Sequence, residues 1–325
     1  MRSGSPLRRE WAWLLCAAVV SSTGRASEPV PQPAESARER REATKGVPVE
    51  VPRALEEHAR SWEAEPVPET QVHERELKEE QRIGEYAQPR WTARRRFPTT
   101  RLYVVPPGTA QFEAWLETKT PFGDPGDTRF RSLYELELGL GHRLQLDLYL
   151  ETLQQGTEAW AVSSEKAELR YAFADWGVLP GNPTVYLEWT RQHEGPHKGE
   201  IKLLLGDEFA PRWHWGVNLV FERELGGAAQ GHEYAVTGAV SYTVWDQIFS
   251  VGAEAKVEGV DVRGHRFDFN GYEFLAGPSL QWRPVRHSHL DLVALFGVET
   301  ERADASSPFG TQALFEPTLV VGWEF

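Results

Sequence analysis

Charged residues recur at alternate positions along short segments of the second half of the chain. They are Glu135 and Glu137, Asp147 and Glu151, Lys166, Glu168 and Arg170, Glu188, Lys202, Glu254 and Lys256, then Glu316 and Glu324. The positions between them are mostly Leu, Ala, Val, Tyr or Trp. Carboxylates, ammonium groups and a guanidinium on one face have two uses. They can line a water-filled passage with a mild preference for cations, or they can pair with one another and close it. Pairing is the preferred expectation, because Lys166, Arg170, Lys202 and Lys256 stand among the acids and about twelve strands would enclose limited space.

Other chemistry has little to rest on. The chain contains no phosphate-cradling glycine loop, no zinc-ligand spacing and no nucleophile elbow. His193 and His197 flank Gly195-Pro196, and His287 and His289 lie in a predicted turn; solvated turn residues are the plainer reading of both pairs. His214 and Ser250 stand on predicted strands with nothing to pair them as a hydrolase would require. The only Met is the initiator, and the only Cys is Cys16, so soft copper ligands and thiol catalysis are not expected. We expect no enzyme, no cofactor and no bound metal. With a net charge of −13, no nucleic-acid partner is expected either.

The elements that hold the charged face follow from period two. Tyr134, Leu136, Leu138 and Leu140 alternate with Glu135, Glu137 and Gly139; Leu144, Leu146, Leu148 and Leu150 alternate with Gln145, Asp147, Tyr149 and Glu151. Only Gly141-His142-Arg143 separates these runs, so they read as a hairpin. The same cadence predicts strands over 110–120, 129–140, 143–154, 164–174, 183–193, 199–206, 212–223, 233–244, 247–258, 272–283, 288–299 and 313–325. An even number of strands with short connections at one end and longer ones at the other is expected of a transmembrane β-barrel. Mean hydropathy is negative, which a barrel tolerates because inward polar residues dilute the apolar signal.

Residues 1–26 read as a signal peptide, with Arg2, Arg8 and Arg9 before the apolar run and cleavage after Ala26. Residues 27–100 are rich in Glu, Arg, Pro and Ala and are expected to form a disordered arm with transient helix at 55–62 and 72–83. The barrel is assigned to residues 101–325. A basic, proline-bounded stretch, Pro89 to Gly108, precedes the first strand. It could lie as a linker at the mouth or tuck into the acidic lumen as a small plug, and the linker is the plainer reading.

Trp115, Tyr134, Trp189, Trp213, Trp215, Tyr242, Trp245, Trp282 and Trp323 are expected to form interfacial girdles. The C-terminal strand, with Leu319, Val321, Trp323 and a terminal Phe325 on one face, resembles the assembly signal of outer-membrane proteins. The run Tyr134 to Leu146, with Glu168-Leu-Arg-Tyr-Ala-Phe173 and Tyr186-Leu-Glu-Trp189, resembles Gram-negative outer-membrane barrels of transporter type, some named for the meta-pathway of phenol degradation. This resemblance spans about residues 100–325, consists of hairpin cadence and implies fold and location. It carries over no functional residue.

The expectation is therefore an exported protein of the outer membrane. Its partners would be membrane lipids, the barrel-assembly machinery and a small-molecule solute. It would be either a passive channel or a sealed barrel serving as a structural, surface or scaffold protein. A soluble β-sandwich is the remaining alternative, and it would have to bury the outward Leu, Val and Trp rows against a second sheet.

Overall fold

The structure is a computed structural model that describes residues 77–227, 230–302 and 307–325. The predicted signal peptide and the helix expected at 55–62 lie outside those residues.

Two short strands, β1 (Arg82–Ile83) and β2 (Gln88–Pro89), are followed by a 3-10 turn over Arg90–Ala93. Twelve longer strands then form the barrel: β3 (Ala110–Pro121), β4 (Arg129–Gly141), β5 (Leu144–Gln155), β6 (Ala161–Ala172), β7 (Thr184–Gln192), β8 (His197–Ala210), β9 (Trp213–Leu225), β10 (His232–Trp245), β11 (Phe249–Asp261), β12 (Phe269–Trp282), β13 (Ser288–Glu301) and β14 (Gly310–Glu324). Each pairs antiparallel with the next, and β14 pairs with β3 through Phe315–Thr120, Thr318–Glu117 and Trp323–Phe112. The sheet is closed, and every barrel strand has a partner on each side.

Alternation along each strand sorts the side chains into two environments. Phe112, Leu116, Tyr134, Leu136, Leu148, Leu150, Leu187, Ile201 and Val321 face outward and are exposed, while Gln111, Glu113, Glu135, Gln145, Asp147, His214 and Asp291 face inward and are buried. In water this arrangement would lose about 25 cal/mol for each Å² of apolar surface left uncovered. Against lipid the same outer face is the favourable one, so the fold is a transmembrane β-barrel. The interior is not wholly polar. Leu275, Val293, Leu295 and Leu314 form an inward apolar cluster on β12, β13 and β14.

One end of the barrel carries the connections 142–143, 173–183, 211–212, 246–248 and 283–287, together with Ala110 and Phe325; the other carries 122–128, 156–160, 193–196, 226–227 with 230–231, 262–268 and 302 with 307–309. We call these the turn end and the loop end. His142 and Arg143 both have positive φ, as a two-residue hairpin turn of the twist-matching kind requires. The connection 173–183 is longer than its expected counterpart. It folds back under the lumen, where Trp176 packs edge-on against Trp91 at 5.6 Å and its backbone N–H donates to Tyr86 O at 2.9 Å.

Several expectations are corrected. The strand predicted at 199–206 runs from His197 to Ala210, because Asp207 and Glu208, read as turn residues, continue the ladder opposite Trp215 and His214. The described part of the helix expected at 72–83 is a turn followed by the small β1–β2 ladder. Trp115 is not a girdle residue: it points into the lumen, beneath the guanidinium of Arg95. Tyr134 does face outward, but from the middle of its strand. Aromatic clusters do occur at both rims, with Phe209, Trp213 and Tyr242 in sequence at the turn end and Phe221, Tyr234 and Phe267 at the loop end.

Candidate functional site

The basic, proline-bounded stretch is not a linker at the mouth. Residues 77–109 enter the turn-end half of the barrel and occupy much of it, leaving a cavity of about 630 Å³ at the mouth bordered by Trp91, Arg94, Trp282 and Arg283. They fit because this segment carries cations and apolar groups that complement the acidic positions of the inner wall. Trp91, Phe97, Tyr103, Val104 and Val105 are buried there. Two inward glycines, Gly206 and Gly216, face one another across β8 and β9 and form a notch that receives Leu102. A Cβ on Gly216 would stand 2.7 Å from Leu102 Cδ2 and 3.1 Å from Thr100 Cγ2, so this approach requires glycine on the wall. At the exit, the backbone pairs Gly108 N with Gly139 O and Gly139 N with Thr109 O, both at 2.9 Å, leading directly into β3.

Hydrogen bonds fix the register of the plug. Gln145 Oε1 accepts from Val105 N at 2.7 Å. The Asn218 amide both accepts from Arg101 N and donates to Arg101 O, each at 2.7 Å, acting as one rung of a strand. Glu254 accepts from Thr99 N at 2.8 Å and from the Thr99 hydroxyl. Lower down, the Asp246 carboxylate accepts from Lys78 N and Glu79 N at 2.8 and 3.0 Å.

Four arginines carry the electrostatics. Arg94 pairs with Glu324 at 2.7 Å at the mouth. Arg95 donates to Glu113 at 2.7 Å, to Glu135 at 3.1 Å and to Glu137 at 3.2 Å, with Trp115 4.1 Å from its guanidinium carbon. Arg101 reaches the same group from above, donating to Glu137 at 2.9 Å, to Tyr149 Oη at 3.1 Å and to Glu135. Arg96 turns the other way, to Ser241 at 2.8 Å, Thr243 at 2.6 Å, His214 Nδ1 at 2.7 Å and Glu79 at 3.3 Å. The two environments differ in strength. Burial lowers Arg96 to about 10 against the partial support of Glu79, whereas burial of Arg101 is more than offset by Glu135, Tyr149 and Glu137, which hold its charge well above the usual range.

The residues singled out from the sequence fall into two layers. Glu135, Glu137, Asp147, Glu168, Arg170 and Glu254 lie in the plugged half, where Arg170 bridges Asp147 at 2.7 Å and Glu168. Toward the loop end, Lys166 stands 3.4 Å from Glu151 and 3.6 Å from Glu188, and Lys202 pairs with Glu200 at 2.8 Å. Lys256 reaches Glu273 at 2.7 Å and Glu316 at 3.4 Å. Here the cations keep about a fifth of their side-chain surface exposed, so this layer borders open space rather than plug. A cavity of about 460 Å³ at the loop end is lined by Lys198, Glu222, Glu233, Asp261 and Arg263 among others. In the C-terminal strand Val321, Trp323 and Phe325 are exposed on the outer face, with Leu319 partly so.

His193 and His287 are exposed in connections, as expected of solvated turn residues, whereas His289, expected in a turn, is buried on β13. His214 and Ser250 face the lumen rather than the outer wall, and His214 takes Arg96 as its partner. His289 sits between Asp291 at 2.7 Å and Glu113 at 3.3 Å. His193 bonds Glu165 at 2.9 Å, His197 packs on Trp189 and His287 stands 3.9 Å from Glu324. The sequence reading missed Glu113, Trp115, Asn218 and the arginines of the plug as members of one site. The available signal was charge complementarity, with Arg94-Arg95-Arg96 immediately upstream of strands whose inward positions are acidic.

Residues 202–314 match the model of a family described as "Putative MetA-pathway of phenol degradation". No curated protein matches the sequence. Among solved structures the fold is similar to an outer-membrane channel from Pseudomonas putida F1, at 11% identity and a TM-score of 0.48 over 69% of this chain and 97% of that one. It is also similar to the NanC porin, at 10% identity and a TM-score of 0.44 over 65% and 98% of the two chains, and to the KdgM porin, at 10% identity and 0.40 over 66% and 99%. The chain is a twelve-stranded transmembrane β-barrel that carries its own residues 77–109 inside its turn end and is similar, over residues 202–314, to the family of that description.

Proposed function

We propose that this chain is exported by its N-terminal signal, sits in the outer membrane with its turn end in the periplasm, and is a passive small-solute channel held shut by residues 77–109. The observation that carries this reading is the plug's mode of attachment. It is held by polar side chains, by a leucine in a glycine notch and by one apolar cluster in which Trp91, Tyr103 and Val104 meet Ala172 and Trp176, while the loop-end half above it stays polar and partly open. A barrel meant only as a rigid support could fill its lumen with side chains from its own strands. Here the filling is a separate, tethered segment.

The test is conductance of the full chain in planar bilayers, comparing wild type with R95Q/R101Q. The expected result is a closed wild type and a conducting variant. A variant that remains silent while its plug is shown to be released would favour the other reading, a sealed barrel acting as a surface or scaffold protein. That reading draws its support from the loop-end ion pairs around Lys166 and Lys256.

A further inference from the structure

Two positive side chains from the plug share one small acidic site on the wall, and the site is shaped for them. Glu113 on β3, Glu135 and Glu137 on β4 are fully or nearly fully buried. One carboxylate oxygen from each lies within 4.8 Å of the others. The face of Trp115 forms the floor, 4.1 Å from the guanidinium carbon of Arg95 and 5.3 Å from that of Arg101. Tyr149 Oη, 3.1 Å from Arg101 Nη2, supplies a neutral acceptor at the side. An indole face beside clustered carboxylates is the environment that recognises planar or alkylated organic cations. Trp115 Nε1 donates to Glu113 at 3.0 Å, which fixes the indole face toward the two guanidinium groups.

The tethered groups do not complete the site. Arg95 Nη1 is buried with no hydrogen-bond partner, and Glu113 Oε1 has His289 Nε2 at 3.3 Å rather than a plug arginine. Without Arg95 and Arg101, the carboxylates of Glu113, Glu135, Glu137, Asp147 and Glu168 would keep, among the described residues, Arg170 and His289 as their ion-pair partners. The wall is therefore built to need a cation from outside its own strands.

We infer that Glu113, Glu135, Glu137, Trp115 and Tyr149 form a binding site for a guanidinium- or ammonium-bearing solute, which Arg95 and Arg101 of the plug occupy as a built-in substitute. This inference rests on the reading that residues 77–109 can leave the lumen, and it names the class of solute that the opened barrel would retain.

The experiment is a calorimetric titration of detergent-solubilised, full-length R95Q/R101Q with methylguanidinium chloride and, separately, with calcium chloride. Folding of each variant is checked by heat-modifiable migration. Methylguanidinium should bind the variant, bind wild type at least tenfold more weakly because its site is filled, and lose at least tenfold in affinity when E135Q/E137Q is added. Equal binding to wild type and variant, binding that survives E135Q/E137Q, or binding of calcium alone would each overturn the inference. If the double variant does not fold, R95Q and R101Q singly each vacate one guanidinium position and carry the same titration. Binding without conductance in bilayers would sink the channel reading while leaving the site intact; conductance without binding would do the reverse.

Discussion

The glycine notch allows the docking of the plug to be perturbed without touching a charge. In Gly216→Ala the new Cβ would lie 2.7 Å from Leu102 Cδ2, 3.1 Å from Thr100 Cγ2 and 3.4 Å from Phe97 Cε2. Ordinary carbon contacts begin at about 3.5 Å, so the tip of Leu102 must retreat by nearly that difference. Retreat toward the neighbouring strand is also blocked, because Leu102 Cδ2 already lies against Gly206, the paired position on β8. Overpacking of this kind costs about 1–3 kcal/mol. At about 1.4 kcal/mol per tenfold, the undocked fraction should rise roughly 5- to 150-fold. The reporter is Val104→Cys, a fully buried plug position, in a chain whose single native cysteine, Cys16, is replaced by Ser. Its rate of maleimide labelling follows the undocked population. Leu102→Ala removes the clashing branch, so the double variant L102A/G216A should label more slowly than the two single effects predict when added. Labelling of G216A at the parental rate, or strict additivity in the double variant, would refute the reasoning.

Three further outcomes are expected. Gly322→Ala places a Cβ on the ring of His289, which is fixed between Asp291 and Glu113; it should abolish heat-modifiable migration, and His289→Ala should restore part of it. Raising salt from about 0.1 to 1 M shortens the screening length from about 10 to 3 Å, yet the Arg95 pairs are nearly without exposed surface. V104C labelling should therefore change less than about threefold over that range, and a larger rise would mean that water reaches the cluster. Wild-type protein from the membrane fraction should migrate faster unboiled than boiled, and recovery as a detergent-free soluble protein would contradict the outward face.

The barrel was legible in the sequence because its code is local. Each strand repeats every two residues, and Leu144 to Glu151 could be assigned a lumen face without knowing what stood opposite. Most strand limits fell within three residues of the observed ones, and β8 missed only because Asp207 and Glu208 resemble a turn. The plug obeys no period. Its buried residues, Trp91, Phe97, Tyr103 and Val104, are spaced irregularly because the segment follows no regular element. Trp91 and Phe97, averaged over residues 27–100, vanish into a charged composition that reads as disorder. Trp115 was misplaced for a related reason: an aromatic on a barrel strand suggests lipid, and only the position of Arg95 shows why one should face inward.

The exit of the plug into β3 has a further consequence. Arg101 lies a few residues before Ala110, and the backbone at Gly108 and Thr109 is already hydrogen-bonded to the wall. A group on so short a leash revisits its site at an effective concentration on the order of millimolar or above. Any dissolved competitor must match that figure before it gains a share of the carboxylates. Trace cations would pass unnoticed, and the barrel would respond only to abundance.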